Sequence, residues 1–358
     1  MDIFARKWPA AFLLPLSLPY ALITWLRNRL YDSGLMHQCA LPCRVVVVGN
    51  LTVGGTGKTP MVELIARLLQ QRGERVCIIS RGYKRTRGGL VVVSDGQRVL
   101  AQPHESGDEP FMLANRLKGV PVIVDRDRVR AGRMAIERFS AEVLVLDDAF
   151  QYRRLRHDVA IVLVDGRRGF GNCWLLPAGP LRESPRRLAS ATLVVLTRLS
   201  NPADGERWAA TVRRFTQAPI IAARHVPQEL CSAGGEHAEL TALREKPIAA
   251  FCGIAQPDSF FALLEQVGAH LVCRFSFPDH HRYSARDLAA LTRIALQQGA
   301  EWLVTTEKDL ARLHGQDSPL PLWCLRITMQ VDDQQPLLRA ITTRGYHEEG
   351  AICCEKNT

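Results

Sequence analysis

Val45-Val46-Val47-Val48-Gly49-Asn50-Leu51-Thr52-Val53-Gly54-Gly55-Thr56-Gly57-Lys58-Thr59-Pro60 is the stretch that decides how this chain reads. Four β-branched residues in a row predict a strand buried on both faces, as in a parallel sheet. A glycine-rich turn follows, and then Met61, Leu64, Ile65, Leu68 and Leu69 recur at helical spacing. Strand, glycine loop and helix in that order are the setting in which Gly-Lys-Thr binds phosphate. Glycines let backbone N–H groups close on an anion, and the helix N-terminus adds positive partial charge. Thr52, Val53, Gly54, Gly55, Thr56 and Gly57 would cradle the phosphates. Lys58 would reach the β- and γ-phosphates, and the Thr59 hydroxyl would ligate Mg²⁺. Thr52 stands where the usual motif has its first glycine, and the nearest glycine upstream is Gly49.

The surrounding chain is that of a globular protein. Its 358 residues are 47% apolar and 23% charged, enough for a full core and two domains. Lys and Arg outnumber Asp and Glu by 46 to 36, a net charge of +10. Much of the excess is arginine near the phosphate loop, at Arg81, Arg85, Arg87, Arg126, Arg128, Arg130, Arg133, Arg153, Arg154 and Arg156. An anionic partner is expected. Nucleic acid is not, because the arginines cluster at loops without the interleaved aromatics of a binding stripe. Ten scattered cysteines show no disulfide framework and read as reduced thiols.

From Trp8 to Leu26 the chain carries no charge, with Arg6 and Lys7 before it and Arg27 and Arg29 after. Pro9, Pro15 and Pro19 argue against one straight helix. Flanking basic residues and boundary aromatics suit a segment held at the cytoplasmic face of a membrane.

Downstream, strand-like runs alternate with helical segments: Val76–Ser80, Val120–Val124, Val143–Leu146, Val159–Val164, Leu193–Leu196 and Ile220–Ala223. That alternation predicts a doubly wound parallel sheet. The polar stretch Ser232–Glu239 breaks it. A second series follows at Ile248–Gly253, His270–Phe275, Trp302–Thr306 and Leu322–Ile327, with helices over Phe260–Val267 and Ala285–Gln298. The expected organisation is an apolar membrane-associated segment (1–30), a P-loop NTPase-like α/β domain (31–235), a second, smaller α/β lobe (236–345) and a loose tail (346–358).

Val143–Leu146 runs into Asp147-Asp148, a strand delivering carboxylates to its C-terminal end, where P-loop proteins hold Mg²⁺. Ser80-Arg81-Gly82-Tyr83 follows another strand and places Arg81 and Tyr83 at the ligand-binding edge of the sheet. Gly107-Asp108-Glu109-Pro110 reads as an acidic loop before a helix over Phe111–Leu117. Asp108 is there either as a helix cap or as the carboxylate facing an acceptor hydroxyl. Asp279-His280-His281 sits on a loop of the second lobe, with too few ligands for zinc. A guanine-reading N/T-K-x-D element is missing, since Thr306-Glu307-Lys308-Asp309 has its lysine one place late. ATP is therefore favoured over GTP.

Together these elements resemble the tetraacyldisaccharide 4'-kinases of lipid A biosynthesis. The likeness runs through the phosphate loop, Ser80–Tyr83, Gly107–Pro110, Asp147-Asp148 with Gln151, Leu181-Arg182-Glu183, Phe277–His280 and Thr305–Asp309. Thr52 is typical of that family. The resemblance implies a kinase at the cytoplasmic face of the inner membrane. It would transfer phosphate from ATP, with Mg²⁺, to the 4' hydroxyl of an anionic, tetraacylated glucosamine disaccharide 1-phosphate. It also implies that Asp108 is catalytic and coupled to His280, and that Arg182 and Glu183 belong to the site. At Ala149 and Tyr152 the family more often carries Gly and His. The alternative is a membrane-associated P-loop ATPase without a sugar acceptor, which would need no Asp108.

Overall fold

A computed structural model describes residues 12–343 apart from His314, Gly315 and Asp317. Trp8–Ala11 of the apolar segment and the expected tail lie outside the described residues.

The first described element is helix α1 (Leu14–Asp32), which runs unbroken through Pro19, with Pro15 in its first turn. Strand β1 (Arg44–Asn50) then feeds the glycine loop and helix α2 (Lys58–Gln71). Next come β2 (Val76–Ser80), β3 (Val91–Ser94), α3 (Asp108–Arg116), β4 (Val122–Val124), α4 (Arg128–Phe139), β5 (Val143–Asp147), β6 (Val159–Asp165), β7 (Leu193–Thr197) and α5 (Pro202–Arg213). The remainder includes β8 (Ile220–Ser232), β9 (His237–Ala238), β10 (Pro247–Cys252), α6 (Pro257–Gln266), β11 (His270–Ser276), α7 (Ala285–Gln297), β12 (Trp302–Thr306), α8 (Glu307–Arg312), β13 (Leu322–Val331) and α9 (Gln334–Thr342).

Among the described residues thirteen strands join one sheet, in the order β11-β10-β12-β13-β8-β7-β6-β1-β5-β2-β4-β3, with β9 beside β8. The stretch from β8 to β4 is parallel, as is the stretch from β11 to β13. An antiparallel ladder between β13 and β8 joins them. The fold is thus a mixed α/β architecture around a large parallel sheet. β1 lies at its centre, and its valines alternate between two cores: Val46 and Val48 pack with Met61 and Ile65 of α2, while Val45 and Val47 pack with Ala131 of α4. Burial on both faces explains why the strand reads as a continuous apolar run.

Three elements differ from the sequence expectation. The prolines do not break α1, since Pro15 sits in its first turn, where no N–H partner is needed, and Pro19 forfeits one hydrogen bond inside it. β8 continues nine residues beyond Ala223, and the stretch read as a break is the β8–β9 hairpin. Arg224, Gln228 and Glu229 hide this strand, since its outer half is only partly covered and needs no apolar run. Asp108 is the first residue of α3 rather than part of a preceding loop.

Candidate active site

The loop between β1 and α2 is held from several sides. Thr197 donates its hydroxyl hydrogen bond to the Thr56 carbonyl at 2.9 Å, and Asn50 Nδ2 donates to Thr56 Oγ1 at 3.1 Å. Gly57 has φ +89°, and a Cβ there would come within 2.8 Å of Met329 and 3.0 Å of His225. Its torsion requires glycine, and the Met329 and His225 side chains would have to give way to anything larger. Gly49, at the end of β1, is glycine for a different reason, since a Cβ on it would lie 2.5 Å from Cβ of Phe150. It lets the strand pass against the segment after Asp147-Asp148, so it does not substitute for the glycine replaced by Thr52.

Thr52 instead forms an antiparallel bridge with Leu181. Val53 N–H donates to the Pro180 carbonyl at 2.8 Å, and Arg182 N–H donates to the Leu51 carbonyl at 2.7 Å. This short zipper carries Arg182 to the phosphate loop. Its guanidinium donates from Nη1 to both oxygens of Asp148, at 2.8 and 3.1 Å. Lys58 Nζ stands 3.7 Å from Asp148 Oδ1 and 3.5 Å from the Gly54 carbonyl. Burial alone would raise the Asp148 carboxyl, but Lys58 and Arg182 outweigh it and hold it below the usual range. Its backbone is left-handed, φ +47°.

Asp147 behaves oppositely. It is buried, accepts a 3.4 Å hydrogen bond from Ser80 Oγ at Oδ2, and leaves Oδ1 without a partner. Burial, reinforced by Glu109 and Asp148, pushes its carboxyl up to about 7. A carboxyl raised in the folded state is protonated there between about pH 4 and pH 7 while ionised in the unfolded chain. Stability therefore falls as pH rises through that window. Asp147→Asn should stabilise the ligand-free protein on the order of 1–3 kcal/mol at pH 8 and hardly at all at pH 4. Thermal unfolding at the two pH values checks it; an equal shift at both would contradict the ionisation.

The second half of the site comes from distant sequence. α3 and α8 face each other through three ion pairs running in opposite chain directions. Asp108 meets Arg312 at 2.8 Å, Glu109 meets Lys308, and Arg116 meets Glu307 and also Glu63 of α2. Arg312 Nη2 also stands 3.1 Å from His280 Nδ1, which itself lies 3.5 Å from Asp108 Oδ2. His280 adopts φ +63°, and its ring meets Tyr83 edge-on with centroids 5.8 Å apart. Burial would raise Asp108, but His280 and Arg312 outweigh it and keep the carboxylate ionised. Asp108 makes no helix cap. Glu109 is held low by Lys308 first, and Lys58 adds to the effect, so the head of α3 lies in the field of the phosphate loop.

Arg81, just past the end of β2, is exposed. One expected site residue stands apart. Glu183 is buried and turned toward α1, where Arg27 pairs with it and Asn28 Nδ2 lies 3.5 Å away; Arg187 stands 3.3 Å off on its other side. Tyr20 of α1 also donates to the Arg182 carbonyl at 3.0 Å. Sequence reading misses Lys308 and Arg312 as partners of the acidic pair. The signal is present as reversed charge order, Asp-Glu…Arg against Glu-Lys…Arg, and has meaning only once the two helices face each other.

A family model described as tetraacyldisaccharide-1-P 4'-kinase matches residues 9–345. The tetraacyldisaccharide 4'-kinase of Syntrophus aciditrophicus is 44% identical over 340 residues, covering 91% of each chain. That of Geobacter metallireducens is 43% identical over 335 residues, 92% of this chain and 97% of its own. Among solved structures, the Aquifex aeolicus LpxK, an "apo" form in complex with ATP, superposes with a TM-score of 0.77 at 33% identity over 93% of this chain and 98% of its own. With the phosphate loop, the strand-end carboxylates and the paired helices all found along a match of this length, the chain belongs to the tetraacyldisaccharide-1-P 4'-kinase family.

Proposed function

We infer that the chain transfers the γ-phosphoryl group of ATP to the 4' hydroxyl of a tetraacylated disaccharide 1-phosphate in lipid A biosynthesis. The observation that carries this reading is the meeting of the phosphate loop with the Asp108–Arg312–His280 group across the α3–α8 pairing. A P-loop ATPase without a sugar acceptor would leave that group with nothing to do.

In the reaction the acceptor oxygen attacks the γ-phosphorus as the bond to the β-phosphate bridging oxygen breaks, and the hydroxyl proton departs. The transition state is loose, so positioning and charge matter most. The backbone from Thr52 to Gly57 holds the phosphates, and Lys58 neutralises charge on them. Asp108 accepts the hydrogen bond of the acceptor hydroxyl and aligns it, with His280 beside it as proton relay. Arg312 fixes both. Arg182, released from Asp148 by the incoming phosphates, offers a further cation. Arg81 and Tyr83 flank the acceptor side. Thr59, Asp147 and Asp148 would hold Mg²⁺, which would supply charge neutralisation for the phosphates. The unpartnered Oδ1 of Asp147 and its raised carboxyl fit a site that awaits a cation. Residues 31–235 would serve as the nucleotide lobe and 236–345 as the lobe that brings His280 and Arg312 to it.

The substrate is acylated, and α1 supplies the matching surface at the cytoplasmic face of the inner membrane. Among the described residues no helix is long and apolar enough to cross a bilayer. Yet Leu16, Leu18, Leu22, Ile23 and Trp25 are all exposed on α1. Ser17 and Tyr20 meanwhile tie the helix to the 175–182 loop that carries Arg182. A Leu18→Glu/Leu22→Glu variant should lose vesicle binding about tenfold or more while keeping its fold. Deleting the segment is a poorer test, since it strands buried Glu183. Flotation with anionic vesicles reads the effect, and undiminished flotation would refute the docking face. The reaction itself is read by transfer of label from γ-labelled ATP to tetraacyldisaccharide 1-phosphate in detergent micelles. ATP binding without labelled lipid would favour the ATPase reading.

A further inference from the structure

At the far end of the β13–β8 ladder, three adjacent strands place His237, Cys231 and Cys324 in one cross-strand row. Glu229, two residues before Cys231 on β8, projects from the same face. Three ligand atoms converge there. His237 Nδ1 lies 3.4 Å from Cys231 Sγ and 2.9 Å from Glu229 Oε2, and all three atoms fall within 4.8 Å of one another. Zinc bonded to sulfur and nitrogen at tetrahedral angles sets its ligand atoms roughly 3.3–3.6 Å apart, close to the spacing already present.

We propose that Glu229, Cys231 and His237 form a binding site for a borderline-soft divalent cation of the zinc type, at the hairpin beside the joint of the two parallel halves of the sheet. The set is the mixed sulfur, nitrogen and oxygen chemistry that such an ion prefers over magnesium. Arg326 Nη1 holds Glu229 Oε1 at 2.7 Å, which leaves Oε2 for the ion and orients the carboxylate, as a supporting group around a metal does. Charge also closes. Cys231 thiolate and Glu229 together neutralise a divalent ion, while Arg326 is matched by Glu307 at 3.1 Å. Binding releases the Cys231 thiol proton to solvent and takes His237 as the neutral ring protonated on Nε2. The fourth position falls to water or to Cys324.

Cobalt(II) titration of the reduced, chelator-treated full chain tests the site. One equivalent should bind with a thiolate-to-cobalt charge-transfer band. Cobalt at the nucleotide site would meet oxygen ligands and give no such band. Cys231→Ser should abolish the band. His237→Ala, at an exposed position where the fold is not at risk, and Glu229→Gln should each weaken binding about tenfold or more. A Cys353→Ser/Cys354→Ser variant should keep the band. No thiolate band, a band that survives Cys231→Ser, or one lost with Cys353 and Cys354 would overturn the proposal. If Cys231→Ser does not fold, unchanged affinity in both His237→Ala and Glu229→Gln would overturn it equally.

Discussion

Lys58→Ala should lower kcat/KM for phosphoryl transfer about 1,000-fold or more if, as proposed, this cation acts where charge is densest in the transition state. The side chain is largely buried between the Gly54 carbonyl and Asp148. No other lysine in the loop can take its place. Part of the loss should appear in ATP affinity, since the β- and γ-phosphates lose a partner in the ground state as well. The fold should survive, because Arg182 still satisfies both oxygens of Asp148. Single-turnover transfer and nucleotide titration, alongside thermal unfolding, separate these effects. Activity within tenfold of wild type would remove Lys58 from the phosphate site.

Asp108→Ala should behave differently, with kcat falling about 10²–10⁴-fold and ATP affinity nearly unchanged. The partners of Asp108 are Arg312 and His280, neither of which belongs to the phosphate loop. Arg312 keeps hydrogen bonds to Asp309 and the Gly253 carbonyl after the change, so the cost in stability should be modest, about 1–2 kcal/mol. The pH dependence adds a check. Because Asp108 is held below its ordinary carboxyl range, its ion-pair contribution is complete above about pH 4 and is lost only as pH falls through the lower folded value. An acid limb of kcat near neutrality therefore belongs to another group. Equal loss of nucleotide affinity in Asp108→Ala would turn the residue into a structural one, a brace between α3 and α8.

These two residues also show how differently parts of a site can be read. Lys58 is legible because everything that defines it is local: strand, turn and helix lie within consecutive residues, and each has a periodicity. Asp147-Asp148 is legible for the same reason, as the end of an apolar run. Asp108 looks like a cap residue, since Asp before a helix usually is one, and only Arg312 on another helix draws its carboxylate away. Glu183 reads as a site residue through family likeness, but it faces α1. The long strand β8 is legible only over its first four residues, because its outer half is polar.

The sequence by itself determined the strand, glycine loop and helix around Lys58, the parallel α/β core and the family, because short-range patterns of burial and backbone freedom are written in consecutive residues. The tertiary structure alone decided that β8 and β13 fuse two parallel halves into one sheet. It also decided that α3 and α8 meet in three ion pairs, that Arg182 reaches Asp148 through a bridge to Thr52, and that α1 rests on the loop carrying Arg182. The reason is physical. An ion pair such as Asp108 with Arg312, 204 positions apart, leaves no period in either segment. Its partner is fixed only when the folded chain brings the two charges within hydrogen-bond reach.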